Sequence, residues 1–485
     1  MKNFKYIILA VIGFAFYSCD TEEFLNPLPD SSIVLDAFFQ TDDDVLAGIV
    51  GIYDAIQGVN ENTITNINNA NRGVQFEYLL VEHRSDNTRS ATLEGSKADF
   101  HRYLVEPNNV QSEDYYQSMY EVIFRANNVL SFIDVADADN QARYAGEAKF
   151  LRAYAYFNLV RLFGDVPLVT ELVGPSDNES LFTRIPTSQI YQQIVSDLQE
   201  AINTLDNTYK SRASKAAAQG LLAKVYLTQE DRNYALAQQL CEAIINSGDF
   251  SLQDNFSDVF YNELNGEIIF AIEYQAGNTQ ESQSFSSEFT SAIRQGREDG
   301  LNIIDNPDLI GDFTAYGGIR QAASYITIGT SNECIKFLPE GSDIISTPPT
   351  YGSNARDAGN DWIILRYADV LLMHAEAILG GRQETSDTDA IDSYMEVKAR
   401  AGFDPASDRP SSLTKDALLV ERRVEFAYEN QRFYDLVRFG VADAVLSAHA
   451  STMGYGSYDG RKLLLPIPAR EINLSDGLLT QNPGY

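Results

Sequence analysis

Between residues 187 and 205 the apolar positions Ile190, Ile194, Leu198, Ile202 and Leu205 recur at steps of four, four, four and three. That spacing predicts an amphipathic helix with one buried face. Pro186 stands at its start, and Thr187 or Ser188 can cap it. The segment Glu147 to Phe163 is apolar nearly all round, so it reads as a central helix, stopped at Gly164-Asp165 and followed by extended chain from Val166 to Val169. Further helices are expected from Asp43 to Gln57 and from Asp114 to Ile133.

Two stretches share an internal pattern. Leu222, Ala223 and Tyr226 precede Ala235 or Ala237 and Cys241 to Ile244, while Leu371, Ala375 and Ile378 precede Ala390, Tyr394 and Val397. Small residues at a helix crossing, with a large one a turn away, resemble the tetratricopeptide helix-turn-helix unit. The expectation is a mainly α fold of stacked helix pairs with few short strands. Polar stretches rich in Asn, Ser, Gly and Thr separate the helices: Gly58 to Gln75, His83 to Gly95, Gln275 to Gly300 and Ser342 to Asp361. Irregular insertions of this length are usually functional or disordered, and a helical scaffold displaying them is a plausible binding surface. No Pro- or Ser-rich linker divides the chain, which predicts one packed body.

The N-terminus follows a different logic. Lys2 and Lys5 precede an apolar run from Tyr6 to Tyr17, too short for the roughly 20 residues of a bilayer span. Residues 1–18 read as a secretory signal. Ser18-Cys19 resembles a bacterial lipobox, in which the cysteine thiol is acylated and becomes the new N-terminus. Acyl chains at about 0.8 kcal/mol per CH₂ would tether the protein to lipid. The acidic run Asp20 to Glu23 resembles the export signal that sends lipoproteins of Bacteroidetes to the cell surface.

Charge then narrows the partners. With 36 Lys+Arg against 69 Asp+Glu the net charge is -33, and losing Lys2 and Lys5 with the signal makes it -35. A polyphosphate backbone would be repelled, so nucleic acid is excluded as a partner, and neutral partners are preferred over polyanionic ones. There are 27 Tyr and 26 Phe but one Trp, and Tyr, with a flat apolar face and a polar tip, suits wet interfaces as well as cores.

Catalytic chemistry is poorly supplied. His83, His101, His374 and His449 are dispersed, and HExxH, CxxC, EF-hand, P-loop and Gly-x-Ser-x-Gly patterns are absent, so no metal, cofactor or nucleophilic site is expected. His374, in the apolar helix with Met373 and Ala375, reads as a satisfied core histidine. Cys241 reads as a buried free thiol, and whether it pairs with Cys334 stays open. The densest charge cluster runs from Glu421 through Arg422, Arg423, Glu425, Glu429, Arg432 and Asp435 to Arg438. Arg422 and Glu425, or Glu429 and Arg432, can pair three apart on one helix, and the interleaved Phe426, Tyr428, Phe433 and Tyr434 point to a buried ion-pair framework.

Four long motifs carry a family resemblance: RAYAYFNLVRLFGDVPLV (Arg152 to Val169), RYADVLLMHAEA (Arg366 to Ala377), the ERRVEFAYENQRFYDLVRFG helix (Glu421 to Gly440), and the end LLLPIPAREINLSDGLLTQNPGY (Leu463 to Tyr485). With RANNVL (Arg125 to Leu130) and Cys19 they resemble the SusD/RagB proteins. The resemblance implies a SusD-like fold after a signal peptide of residues 1–18. The single body would span 19–485, its N-terminal half about 19–250 and its C-terminal half about 265–485. It implies a non-enzymatic outer-membrane lipoprotein, anchored at Cys19 and facing outward, that binds an oligosaccharide or polysaccharide. It would act as the lid of a SusC-like TonB-dependent transporter; some RagB-like relatives handle peptide instead. By the same resemblance, binding groups come from loops after the first helices, where Asp86, Asn87, Arg89 and Tyr103 stand, and from the central insertion, where Tyr316, Tyr351 and Trp362 are candidates.

Overall fold

The computed structural model describes residues 35–60, 71–174, 177–289, 302–303, 307–328, 331–343, 350, 356–456 and 458–485. Residues 1–18, Cys19 and Tyr351 lie outside them. The main helices are α1 (Asp42–Gln57), α2 (Val110–Ser131), α3 (Ala138–Phe163), α4 (Thr187–Thr204), α5 (Lys215–Thr228), α6 (Tyr234–Ser247), α7 (Pro307–Tyr316), α8 (Tyr367–Leu379), α9 (Thr388–Arg400), α10 (Lys415–Glu425), α11 (Arg432–Arg438) and α12 (Ala442–Met453). From α1 to α6 each packs on the next, α6 packs on α8, and α8 on α9. The two helix pairs expected from small-residue spacing, α5 with α6 and α8 with α9, are thus neighbours in one continuous array.

Local chemistry starts these helices. Thr41 and Asp44 form a reciprocal capping box on α1, and the Asn109 side chain accepts from the Gln111 and Ser112 amides at the start of α2. Ser214, Asn233, Asp387 and Thr414 cap α5, α6, α9 and α10 in the same way. Small residues then admit close crossings. A Cβ added to Gly146 in α3 would stand 2.2 Å from Thr204 Oγ1 at the end of α4. α3 is buried on nearly every side from Tyr144 to Phe163, as its sequence requires of a central helix.

Strands are short. β1 (Ile268–Ile272), β2 (Tyr325–Ile328), β3 (Ser331–Cys334) and β4 (Trp362–Arg366) form two antiparallel pairs, β1 with β4 and β2 with β3. β1 is buried throughout, and β4 passes so close to α5 that a Cβ on Gly220 would meet Leu365 Cδ2 at 2.3 Å. Val166–Pro167 is extended as expected and pairs with Arg184–Ile185.

Three expectations need correction. The central helix begins at Ala138, ahead of Glu147, because its polar first turns gain distant partners: Asn140 donates to both Asp42 carboxylate oxygens at 3.1 Å. No side chain of Thr187 or Ser188 caps α4. Pro186 holds the cap position, and the Asp165 carboxylate accepts from the Thr187 amide at 2.9 Å. The stretch from Glu421 to Gly440 is two helices, since the chain turns between α10 and α11 with Tyr428 at φ 71° and Asn430 at φ 57°. The anticipated local pairs give way to distant ones. Arg422 instead bonds Asp369 and Asp435, and Glu429 bonds Lys336 and Arg366.

Candidate ligand-binding groove

The sequence candidates separate by environment. Asp86 is buried, and Arg432 grips its carboxylate with Nε on Oδ1 at 2.8 Å and Nη2 on Oδ2 at 3.0 Å, while Arg423 Nη2 adds a 3.0 Å contact. Against the upward push of burial, these two guanidiniums hold the Asp86 carboxyl well below its usual range. Asn87 is fully buried, donating to Glu82 Oε1 at 3.1 Å and accepting from Arg423 Nε at 2.9 Å. These residues join the charge cluster rather than a solvent-facing site.

Tyr103 is buried with its ring edge on Tyr458, 5.0 Å between centroids, and its backbone at φ 57°. Arg89 is half-buried in a two-residue ladder, Arg89–Ser90 with Asn302–Ile303. Trp362 is buried, donating its indole N–H to Glu77 Oε2 at 2.9 Å and packing against Phe285 and Phe337. It borders a small interior cavity of about 40 Å³ that Glu77, Arg161, Lys224 and Asn430 also line. Burial pushes the Glu77 carboxyl up. A ring held there offers no face to a sugar. Tyr316, at the end of α7, is exposed.

The charge cluster is a buried framework, as its aromatic interleaving indicated. Arg320 bonds Glu421 and Glu425 at 2.6 and 2.8 Å. Arg366 bonds Glu267, Glu425 and Glu429, and Lys336 bonds Glu429 at 2.7 Å. Lys224 and Arg422 share Asp369 and, against burial, hold its carboxyl well below the usual range. His374 sits in the same interior with Nδ1 at 2.8 Å from Ser393 Oγ.

A large opening lies elsewhere. A groove of about 1180 Å³ runs between the segment 255–276 and residues 319–323, 335–342 and 359–363. Pockets for drug-sized ligands measure roughly 300–1,000 Å³, so there is room for an extended chain. Its apolar floor includes Val259, Ala271, Ala323 and Ile335; its polar wall includes Asn255, Asn262, Glu263, Glu340, Asn360 and Asp361. Tyr261 is 45% exposed in this wall, yet its hydroxyl is fixed, donating to the Ile335 carbonyl and accepting from the Leu338 amide at 3.3 Å. The ring is thereby held still while part of its surface stays open to the groove. Asp361 Oδ1 accepts from the Tyr274 amide at 3.1 Å, and Asn360 donates to the Leu338 carbonyl at 3.0 Å.

Sequence reasoning did not single out Tyr261, Asn262 or Asn255. The only local signal is an aromatic followed by polar residues in FYNELNGE (Phe260 to Glu267), which resembles many surface turns. Asn360 and Asp361 do fall in the long polar stretch that ends at Asp361.

The comparisons with known proteins bear on both halves of this arrangement. A model of the SusD family matches residues 336–485, and one described as "Starch-binding associating with outer membrane" matches residues 23–227. The chain belongs to the SusD/RagB family. Among its relatives is SusD-like protein P2 of Formosa agariphila, 26% identical with all of both chains covered. A SusD-like protein of Bacteroides ovatus is 25% identical over 90% of this chain and 82% of its own. The solved structure of a laminarin-binding SusD-like protein superposes with a TM-score of 0.74 at 26% identity, covering 92% of this chain and all of that one. The helix-pair array is therefore the SusD-like fold.

Proposed function

We propose that this SusD/RagB protein captures a glycan in the groove beside Tyr261. The observation that carries the reading is the Tyr261 ring, locked through its hydroxyl and left open beside a wall of amides and carboxylates. A fixed aromatic face suits the CH face of a pyranose, and amide and carboxylate groups suit its hydroxyls. The match to a laminarin-binding protein and to a starch-binding family supports a glycan as the ligand.

The role is capture without turnover. Residues 19–485 act as one body after loss of the signal peptide, tethered to the outer membrane through acylated Cys19 on the extracellular side. There the body serves as the lid of a SusC-like TonB-dependent transporter. Among the described residues no helix is long and apolar enough to cross a membrane, so a lipid anchor supplies the attachment in this reading.

Calorimetry of the purified protein with oligosaccharides tests the groove. Tyr261→Ala should weaken binding about tenfold or more, equivalent to about 1.4 kcal/mol, while Tyr261→Phe should retain most of it. Unchanged affinity in Tyr261→Ala would remove the groove from consideration. Copurification of a large barrel protein from outer membranes tests the lid role.

A further inference from the structure

The geometry points to a groove that accepts uncharged sugar chains and rejects acidic ones, because its described lining carries Glu263, Glu340 and Asp361 and no lysine or arginine. The inference rests on the glycan reading above and names the ligand class of the same site.

The cause is a sorting of charge across the groove wall. Ile319 faces the groove, and the next residue, Arg320, is fully buried on Glu421 and Glu425. Ile335 faces the groove, and the next residue, Lys336, is fully buried on Glu429. In β4, Ile363 lines the groove while Arg366 turns to Glu267, Glu425 and Glu429. The basic side chains of these wall elements are thus turned inward and neutralised by the framework. Lys210 donates to the Asn265 carbonyl at 2.6 Å.

The groove side keeps its carboxylates. Glu263 and Glu340 are exposed, and Asp361 is half-buried. Burial pushes the Asp361 carboxyl up to about 7 despite the Tyr274 amide, with Glu273 and Glu263 adding repulsion. Burial is the larger cause, and near neutral pH Asp361 is only partly ionised, so the exposed Glu263 and Glu340 carry the repulsion. A uronate or sulfate entering the groove would meet like charges and no counter-charge within the wall, and at roughly 0.1 M salt the Debye length of about 10 Å leaves that repulsion effective across the groove.

The test is calorimetry with neutral hexasaccharides (gluco-, xylo-, manno- and galacto-linked), uronate and sulfated hexasaccharides, and a lysine-rich peptide. Each is run on the full mature chain at low and high salt. At least one neutral sugar should bind with little salt dependence, and acidic sugars should bind roughly tenfold more weakly or not at all. Glu263→Gln combined with Glu340→Gln should narrow the ratio of neutral to acidic affinity. Equal or tighter binding of an acidic sugar would overturn the charge selection and leave glycan capture standing. Binding of the peptide alone, or of nothing in the panel, would overturn glycan capture and the selection together.

Discussion

Arg366 and Glu429 face each other across the junction between β4 and the turn after α10. Arg366 donates from Nε to Glu429 Oε2 at 2.8 Å and from Nη2 to Oε1 at 3.0 Å, with both side chains almost wholly buried. The pair ties the start of α8 to the left-handed turn that divides the two C-terminal helices. Buried charges hold each other only as a complete set, since removing one member strands the rest without water. Arg366→Met should therefore cost about 3–5 kcal/mol in chemical denaturation. An unchanged unfolding midpoint would show that the framework tolerates the loss, contrary to this account.

Asp86 separates a structural role from a ligand role. Because it holds Arg432 and Arg423 in the interior, Asp86→Ala should lower the unfolding midpoint and leave the glycan affinity of the folded protein unchanged at low temperature. A residue that touches ligand would show the reverse pattern. Paired calorimetry and denaturation on this one variant decide between them.

Glu82 makes stability depend on pH. Burial pushes its carboxyl from the ordinary 4.5 up to about 7, although Asn87 and the Tyr428 amide both donate to Oε1. A carboxyl raised in the folded state binds its proton more tightly there than in the unfolded chain. Its favourable contribution is complete below about pH 4.5 and is lost as pH rises through 7, by up to about 3 kcal/mol. Asp361 acts in the same direction. Denaturation midpoints should fall from pH 5 to pH 8, and Glu82→Gln should flatten the slope; an unaltered slope in that variant would exclude Glu82 as its source.

Cys241 and Cys334 are both buried free thiols. Burial pushes Cys334 up to about 12 and Cys241 further still. A body lacking Cys19 should give no thiol reaction when native and two when unfolded, and reducing agent should leave its melting temperature unchanged. Rapid labelling of the native protein would mean that one of these sites opens readily.

What the sequence determined by itself is the part governed by local periodicity. Steps of three and four gave α4 its buried face, the all-round apolar character of Glu147 to Phe163 marked the central helix, and small residues at crossings marked two of the helix pairs. Charge interleaved with aromatics marked the buried framework. The partners within that framework were decided only by tertiary structure, because packing of α10 on α8 brings Arg422 to Asp369 and the turn at Tyr428 and Asn430 carries Glu429 to Arg366, contacts separated by tens of residues. The same holds for Trp362, whose indole N–H reaches Glu77, and for the groove, where Tyr261, Asn360 and Asp361 meet across about a hundred positions of chain. Hydrophobic spacing records which face of an element is buried; it carries no record of which distant side chain shares that burial, and a ligand groove is made from those distant neighbours.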